Sequence, residues 1–188
     1  MGKTYPGLDK RLAEFISSQH VFFVATAPTD AGGRVNVSPK GYRDTFAVLD
    51  ELTFAYLDLT GSGAETIAHL RQNGRITIMF CSFGRVPKIL RIYGTGRPVL
   101  PADADWPQFA AHFPASKGTG TGRGDLRAII VVTLNRIADS CGYAVPVMEL
   151  IHERDVLTRR AARKSPEQLV AYRAEHNSVS IDGLPALD

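Results

Sequence analysis

A chain of 188 residues with 44% hydrophobic content suits one globular domain with a sizeable core, and it shows neither an internal repeat nor a second domain. A formal net charge of +3 makes it mildly basic, without the run of five or six like charges that marks a nucleic-acid arm. Its two cysteines, Cys81 and Cys141, make no disulfide framework, no stretch approaches the ~18 apolar residues of a membrane span, and the N-terminus lacks the apolar core of a signal peptide; the cytoplasm is the expected compartment.

Leu8, Leu12, Phe15 and Ile16 recur at helical spacing in LDKRLAEFISSQ and predict an amphipathic first helix, with Asp9, Lys10, Arg11 and Glu14 toward water. HVFFVATA at 20–27 reads as a strand, joined through the turn Thr29–Gly33 to a second. In that second strand Val35 and Val37 alternate with Asn36 and Ser38, the period-2 pattern of one dry face, and Pro39, which has no backbone donor, ends free pairing. LTFAYLDL at 52–59 is the next strand, with Leu49-Asp50-Glu51 as its hairpin turn. Thr60-Gly61-Ser62-Gly63 is a flexible polar loop opening into a helix. Ser62 and Glu65 form a capping box, Ala64, Ile67, Ala68 and Leu70 an apolar stripe, and Asn73-Gly74 the stop. Backbone N–H groups at such a start favour an anion, although Ser62 and Glu65 equally serve to satisfy the helix end alone.

RITIMFCSF is a strand, followed by a bend at Gly84–Lys88 and the strand ILRIYGTGRPV, whose Gly94 and Gly96 mark a bulge or a close approach of backbone or ligand. Hairpin-linked strands of this kind predict a closed or partly closed antiparallel barrel. A short helix is expected over Ala104–Phe113, with Trp106, Phe109 and Phe113 on one side. The Gly-rich segment ASKGTGTGRGDLR is a connecting loop; it either has no role or closes over a ligand with Lys117, Arg123 or Arg127. DLRAIIVVTL at 125–134 is a strand dry on both faces. Beyond it a helical extension over about 146–188 is expected, with one helix in VMELIHERDVLTRRAARK and another starting at the capping box Ser165-Pro166-Glu167-Gln168.

The runs NVSPKG, FAYLDLTGSG and ETIAHLRQNGRITIMF, followed by ILRIYGTGRPV, DSCGYAVPVME and SIDGLPAL, resemble the FMN-binding split barrels related to pyridoxamine 5′-phosphate oxidase. The likeness covers nearly the whole chain. It implies a mainly β (α+β) fold, an antiparallel split β-barrel with flanking helices, and a single FMN-binding domain over 1–188. It also implies a homodimer with the flavin at the subunit interface, across which the tail SIDGLPAL and the glycines of ILRIYGTGRPV are expected to lie. In the family resembled, the strand and the turn before the helix meet the flavin phosphate. The matching positions are Asn36, Val37, Ser38 and Lys40 with Thr60, Ser62 and Gly63, while Tyr56, Leu57 and Asp58 fall where the second strand lines the flavin. The turn departs from the family in one respect. Pyridoxamine phosphate oxidases carry basic residues there, whereas this turn reads GSGAE, so a phosphate must rely on backbone donors, hydroxyls and charges such as Lys40 or Arg34. DSCGY follows the last barrel strand, where a chain returning to the flavin edge brings Cys141 to the ring and Tyr143 near it; the plainer reading of an isolated cysteine is a small buried hydrophobe.

Other chemistries lack their residues. His20, His69, His112, His152 and His176 are scattered without metal-ligand spacing, and no P-loop, Rossmann fingerprint or G-x-S-x-G elbow is present. Two functions stand: an FMN-dependent oxidoreductase acting on a small-molecule substrate, or a flavin- or deazaflavin-binding carrier or sensor without turnover. A nucleic-acid-binding barrel lacks its interleaved surface aromatics.

Overall fold

Runs of Val, Ile, Phe and Tyr build one antiparallel sheet in the computed structural model, which describes residues 2–115 and 123–187. Its strands are β1 (Thr4–Tyr5), β2 (Val21–Thr26), β3 (Asn36–Gly41), β4 (Phe46–Asp50), β5 (Thr53–Leu59), β6 (Arg75–Cys81), β7 (Ile89–Val99) and β8 (Leu126–Ser140). They run in the order β3-β2-β6-β7-β8-β5-β4, with β1 added beside the end of β8. β3 and β4, at opposite ends of this path, are joined by the short 3-10 turn Arg43–Thr45.

The sheet curls into a split barrel because its aromatics gather at one point. Phe22 of β2 touches Phe46 of β4 with ring centroids 5.1 Å apart, and also Phe54, Tyr56 and Phe80. Strands at far ends of a flat sheet cannot make such contacts. Each buried ring contributes roughly 1.5–3 kcal/mol by burial alone. A second cluster covers the outer face of β5 and β8, where Leu57, Ile129 and Val131 meet Phe113 and the helix α3 (Trp106–Ala110). β5 and β8 as far as Val132 are therefore dry on both faces, as expected of a nearly continuous apolar run. α3 is shorter than expected but brings Trp106, Phe109 and Phe113 to one cluster.

The helices α1 (Lys10–Ser17) and α2 (Glu65–Asn73) lie over the barrel. Asp9 caps the first, accepting from Leu12 N at 2.8 Å, and Leu8, Leu12 and Ile16 are buried as their spacing requires. Gly74 ends α2 with φ +70°, left-handed backbone that glycine adopts without strain. The start of α2 differs from expectation. Its N-cap is Ala64 without a side-chain bond, and the Glu65 carboxylate instead accepts from Ile181 N at 3.3 Å. Ser62 lies outside the helix because the tail docks here.

Gly94 sits at the register shift between β7 and β8, where a Cβ would fall 2.1 Å from the Thr133 carbonyl oxygen. The backbone of its own chain makes that close approach, and the glycine marks the bulge. β3 inverts the expected polarity: Val35 is 69% and Val37 62% exposed, while Asn36, Ser38 and Lys40 turn inward to polar partners. Pro39 does not end the strand, which continues to Gly41, because an edge position tolerates a missing donor.

β8 runs past Leu134 to Ser140, and the helix expected near 147 starts only at α4 (Val156–Ala162). α5 (Pro166–His176) has the expected capping box, with both Ser165–Gln168 bonds formed. The tail packs on its own chain and leaves Val179 and Ile181 exposed. Ala186 is buried, Leu184 and Leu187 pack on the main core, and a bridge pairs Val179 with Pro185. Among the described residues no helix is long and apolar enough to cross a membrane.

Candidate functional site

Asp58 stands in the dry strand TFAYLDL, and a carboxylate buried there requires charged partners. It has two. Arg127, near the start of β8, donates Nε to Oδ2 at 2.6 Å, and Lys40 brings Nζ to 3.3 Å of Oδ1. Lys40 belongs to β3 and Asp58 to β5, which are not neighbours in the sheet, so this trio ties the two lips of the split together. Burial pushes the Asp58 pKa up, but the charges and hydrogen bonds of Arg127 and Lys40 outweigh it and hold the carboxyl below its ordinary value.

Arg127 also donates Nη2 to the Gly63 carbonyl at 2.7 Å, while its buried Nη1 has no partner among the described residues. Arg127 lines a pocket of ≈ 130 Å³ with Ser38, Lys40, Gly61, Gly63, Thr66 and the carboxylate-bearing Glu65. The N-terminus of α2 opens beside it. A guanidinium, an ammonium, hydroxyls and a helix start form a donor set for an anion, and an unsatisfied buried donor favours one. Behind the pocket, Ser38 Oγ donates to Asn36 Oδ1, and Asn36 Nδ2 reaches Thr26 and Thr66 Oγ1, each at 3.1 Å. Thr26 Oγ1 lies 2.9 Å from His69 Nδ1, and burial lowers the pKa of that imidazole.

The turn at 60–63, expected to be flexible, is pinned. Thr60 N donates to Asp125 O, Arg173 Nε to Thr60 Oγ1, and Asn177 Nδ2 to Gly61 O, at 2.7, 2.9 and 2.9 Å. α5 and its C-cap Asn177 thus fix the Thr60 hydroxyl and the Gly61 carbonyl of a segment whose glycines otherwise leave it free.

The structure brings Ser38, Lys40 and Gly63 together at the pocket, with Asn36 and Asp58 directly behind. Thr60 and Ser62 face an adjoining cavity under α4 and α5. Tyr56 and Leu57 are buried in the two hydrophobic clusters; Val37 faces outward. Cys141 is exposed rather than a buried hydrophobe, and Tyr143 is 81% exposed. Both follow the end of β8 opposite Arg127, so one chain does not carry them to the pocket. Arg34, the second expected cation, pairs at the surface with Asp182. Lys117 lies outside the described residues, and Arg123 is buried against Asp125. Arg127 belongs to the strand and the site rather than to the loop before it; its signal is a lone charge within a dry strand. Thr66, Arg173 and Asn177 gave no local signal, because their roles come from tertiary contacts.

A family profile described as pyridoxamine 5′-phosphate oxidase matches residues 8–141. The chain is 36% identical to the pyridoxamine 5′-phosphate oxidase family protein ustO of Aspergillus flavus, over 97% of this chain and 77% of the relative. Among solved structures it is similar to HupZ of Group A Streptococcus, at 24% identity and TM-score 0.53, covering 71% of this chain and 99% of that one. It is likewise similar to a conserved hypothetical protein of Mycobacterium tuberculosis, at 13% identity and TM-score 0.50, covering 77% and 92% of the two chains. At these identities the structural likenesses show the fold alone.

Proposed function

The chain belongs to the pyridoxamine 5′-phosphate oxidase family, and from that premise we propose that it is an FMN-dependent oxidoreductase with the cofactor phosphate in the Lys40–Arg127 pocket. The observation that carries this reading is the convergence of the Arg127 and Lys40 side chains with Ser38 and Thr66 on one pocket of phosphate scale. A bound flavin supplies hydride or electron transfer; the chain's residues supply binding and orientation. Arg127 and Lys40 compensate the phosphate charge. Asp58 holds both cations in place and keeps them from repelling one another. Ser38 adds a hydroxyl, and Asn36, anchored to Thr26 and Thr66, fixes the strand that carries it.

The pocket is too small for an isoalloxazine ring, so the ring must extend beyond it. Val35 and Val37 on the exposed face of β3 are apolar surface for a second copy, and Cys141 and Tyr143 of that copy are free to approach. The proposal therefore includes a homodimer with the flavin between subunits.

Heat release of the chromophore from purified protein, followed by chromatography, tests the cofactor. FMN is expected; FAD, or a haem absorption band, overturns the assignment. Oxidation of reduced nicotinamide with an added acceptor then tests turnover, and bound FMN without turnover means a carrier or sensor. Lys40→Ala should weaken FMN about ten- to a hundredfold and riboflavin far less, since only FMN has the phosphate. Equal losses for both ligands place Lys40 away from it.

A further inference from the structure

The turn at 60–62 separates the anion pocket from a second cavity of ≈ 260 Å³, roofed by α4 and α5. Leu157, Ala161, Leu169 and Tyr172 give this cavity apolar walls, and Ser62, Arg160 and Lys164 line it as well. Its volume lies below the ~300–1,000 Å³ of drug-sized sites, which limits it to a small ligand. None of the described residues offers a carboxylate to Arg160 or Lys164; Lys164 instead lies over the Tyr172 ring at 5.5 Å. Asp125, the one carboxylate lining the cavity among the described residues, is held by Arg123 through two bonds of 3.0 Å. Nearby, among the described residues, the half-buried Arg173 donates only to the neutral Thr60 hydroxyl and Leu126 carbonyl. Burial and then the charge of Arg127 press its pKa down. Among the described residues, the cations around this cavity thus outnumber the free carboxylates.

The roof is also anchored. Arg123 Nη2 donates to Thr158 Oγ1 on α4 at 3.1 Å, and its guanidinium stacks on Tyr42, 4.9 Å from the ring centroid. The Tyr42 hydroxyl donates to the Arg154 carbonyl at 2.6 Å. Tyr42 has φ +72°, a left-handed backbone conformation costly for a bulky residue and kept only where its surroundings hold it. Several independent contacts therefore hold α4 over the turn.

We propose that this cavity is a second ligand site, separate from the flavin, for a small flat organic anion such as an aromatic phosphate or carboxylate. Tyr172, Leu157 and Leu169 take the apolar body; Arg160, Lys164 and the Ser62 hydroxyl take the charge. As a substrate pocket it rests on the flavin reading, whereas as a binding site it stands alone.

Calorimetric titration of the flavin-loaded protein with naphthyl phosphate tests it, with naphthol and inorganic phosphate as the two halves of the probe. Naphthyl phosphate should bind once per chain and at least about tenfold more tightly than either half. The double variant Arg160→Ala, Lys164→Ala should bring it to the level of naphthol while leaving flavin content unchanged. Arg159→Ala, on the same helix but paired with Asp155, should leave binding as it was. Undiminished binding in the double variant, or equal affinity for naphthol and its phosphate in the parent, overturns the proposal. Loss of flavin in the double variant assigns the cavity to the cofactor and overturns it too. Protein that carries no flavin yet binds naphthyl phosphate through Arg160 and Lys164 overturns the flavin reading and leaves the site standing.

Discussion

Asp58→Asn should destabilise the fold by about 3–5 kcal/mol, the cost of breaking a buried ion pair from one side. Asparagine keeps the shape and accepts a hydrogen bond, but it leaves Arg127 and Lys40 uncompensated across the split between β3 and β5. Urea unfolding of the two proteins measures the loss. A second substitution separates charge from packing. Added to Asp58→Asn, Lys40→Met removes one uncompensated cation and should restore part of the stability, although in the parent it removes a partner of Asp58. Additive losses in this cycle would mean that Lys40 and Asp58 do not act together. The pH dependence follows from the same pair. The carboxyl pKa is lower folded than unfolded, so the stabilisation is fully present above the ordinary aspartate value near ~3.9 and disappears as pH falls through the folded value. Acid unfolding of the parent should therefore include a component at pH below about 4 that Asp58→Asn lacks.

Local signals decided how much could be read from the chain. The α5 capping box and the dry strand at 125–134 depend on neighbours in sequence, and both form as expected. The β3 face does not. Val35 and Val37 alternate as core residues do, yet Asn36 and Lys40 have their partners on β2, α2 and β5, and those part-buried hydrogen bonds decide which face turns inward. Ser62 lost its cap for a similar reason: α5 and the tail arrive from more than 100 residues away and fix the turn by Asn177 and Glu65. Of the site, the strand residues Ser38 and Lys40 came from the family resemblance of the run NVSPKG, because the alternation of β3 by itself pointed to its valines. Arg127 was masked by the Gly-rich segment before it, although a lone arginine in a dry strand implies a buried counter-charge, and Asp58 at the matching place on β5 supplies it.

Val37→Asp should weaken self-association at least about a hundredfold, if β3 forms the face between two copies of this chain. Val35 and Val37 are exposed in the single chain, so the substitution does not disturb a core that the fold depends on. In a twofold dimer each substitution counts twice. Removing a buried valine costs roughly 1.5–3 kcal/mol per copy, and a carboxylate placed in the interface adds its desolvation. Flavin occupancy should fall with association, because a ligand held only by the dimer is lost when the copies part. Sedimentation at micromolar concentration, with absorbance read at protein and flavin wavelengths, follows both quantities at once. The parent should sediment as a dimer carrying flavin, and the variant as a folded monomer that has largely lost it. A parent that is monomeric with stoichiometric flavin would place the whole site within one chain, and the exposed valines of β3 would then have no part in it. A variant that stays dimeric would move the interface elsewhere. The apolar residues Val147, Met148 and Ile151 before α4 are exposed as well and would be the next face to substitute.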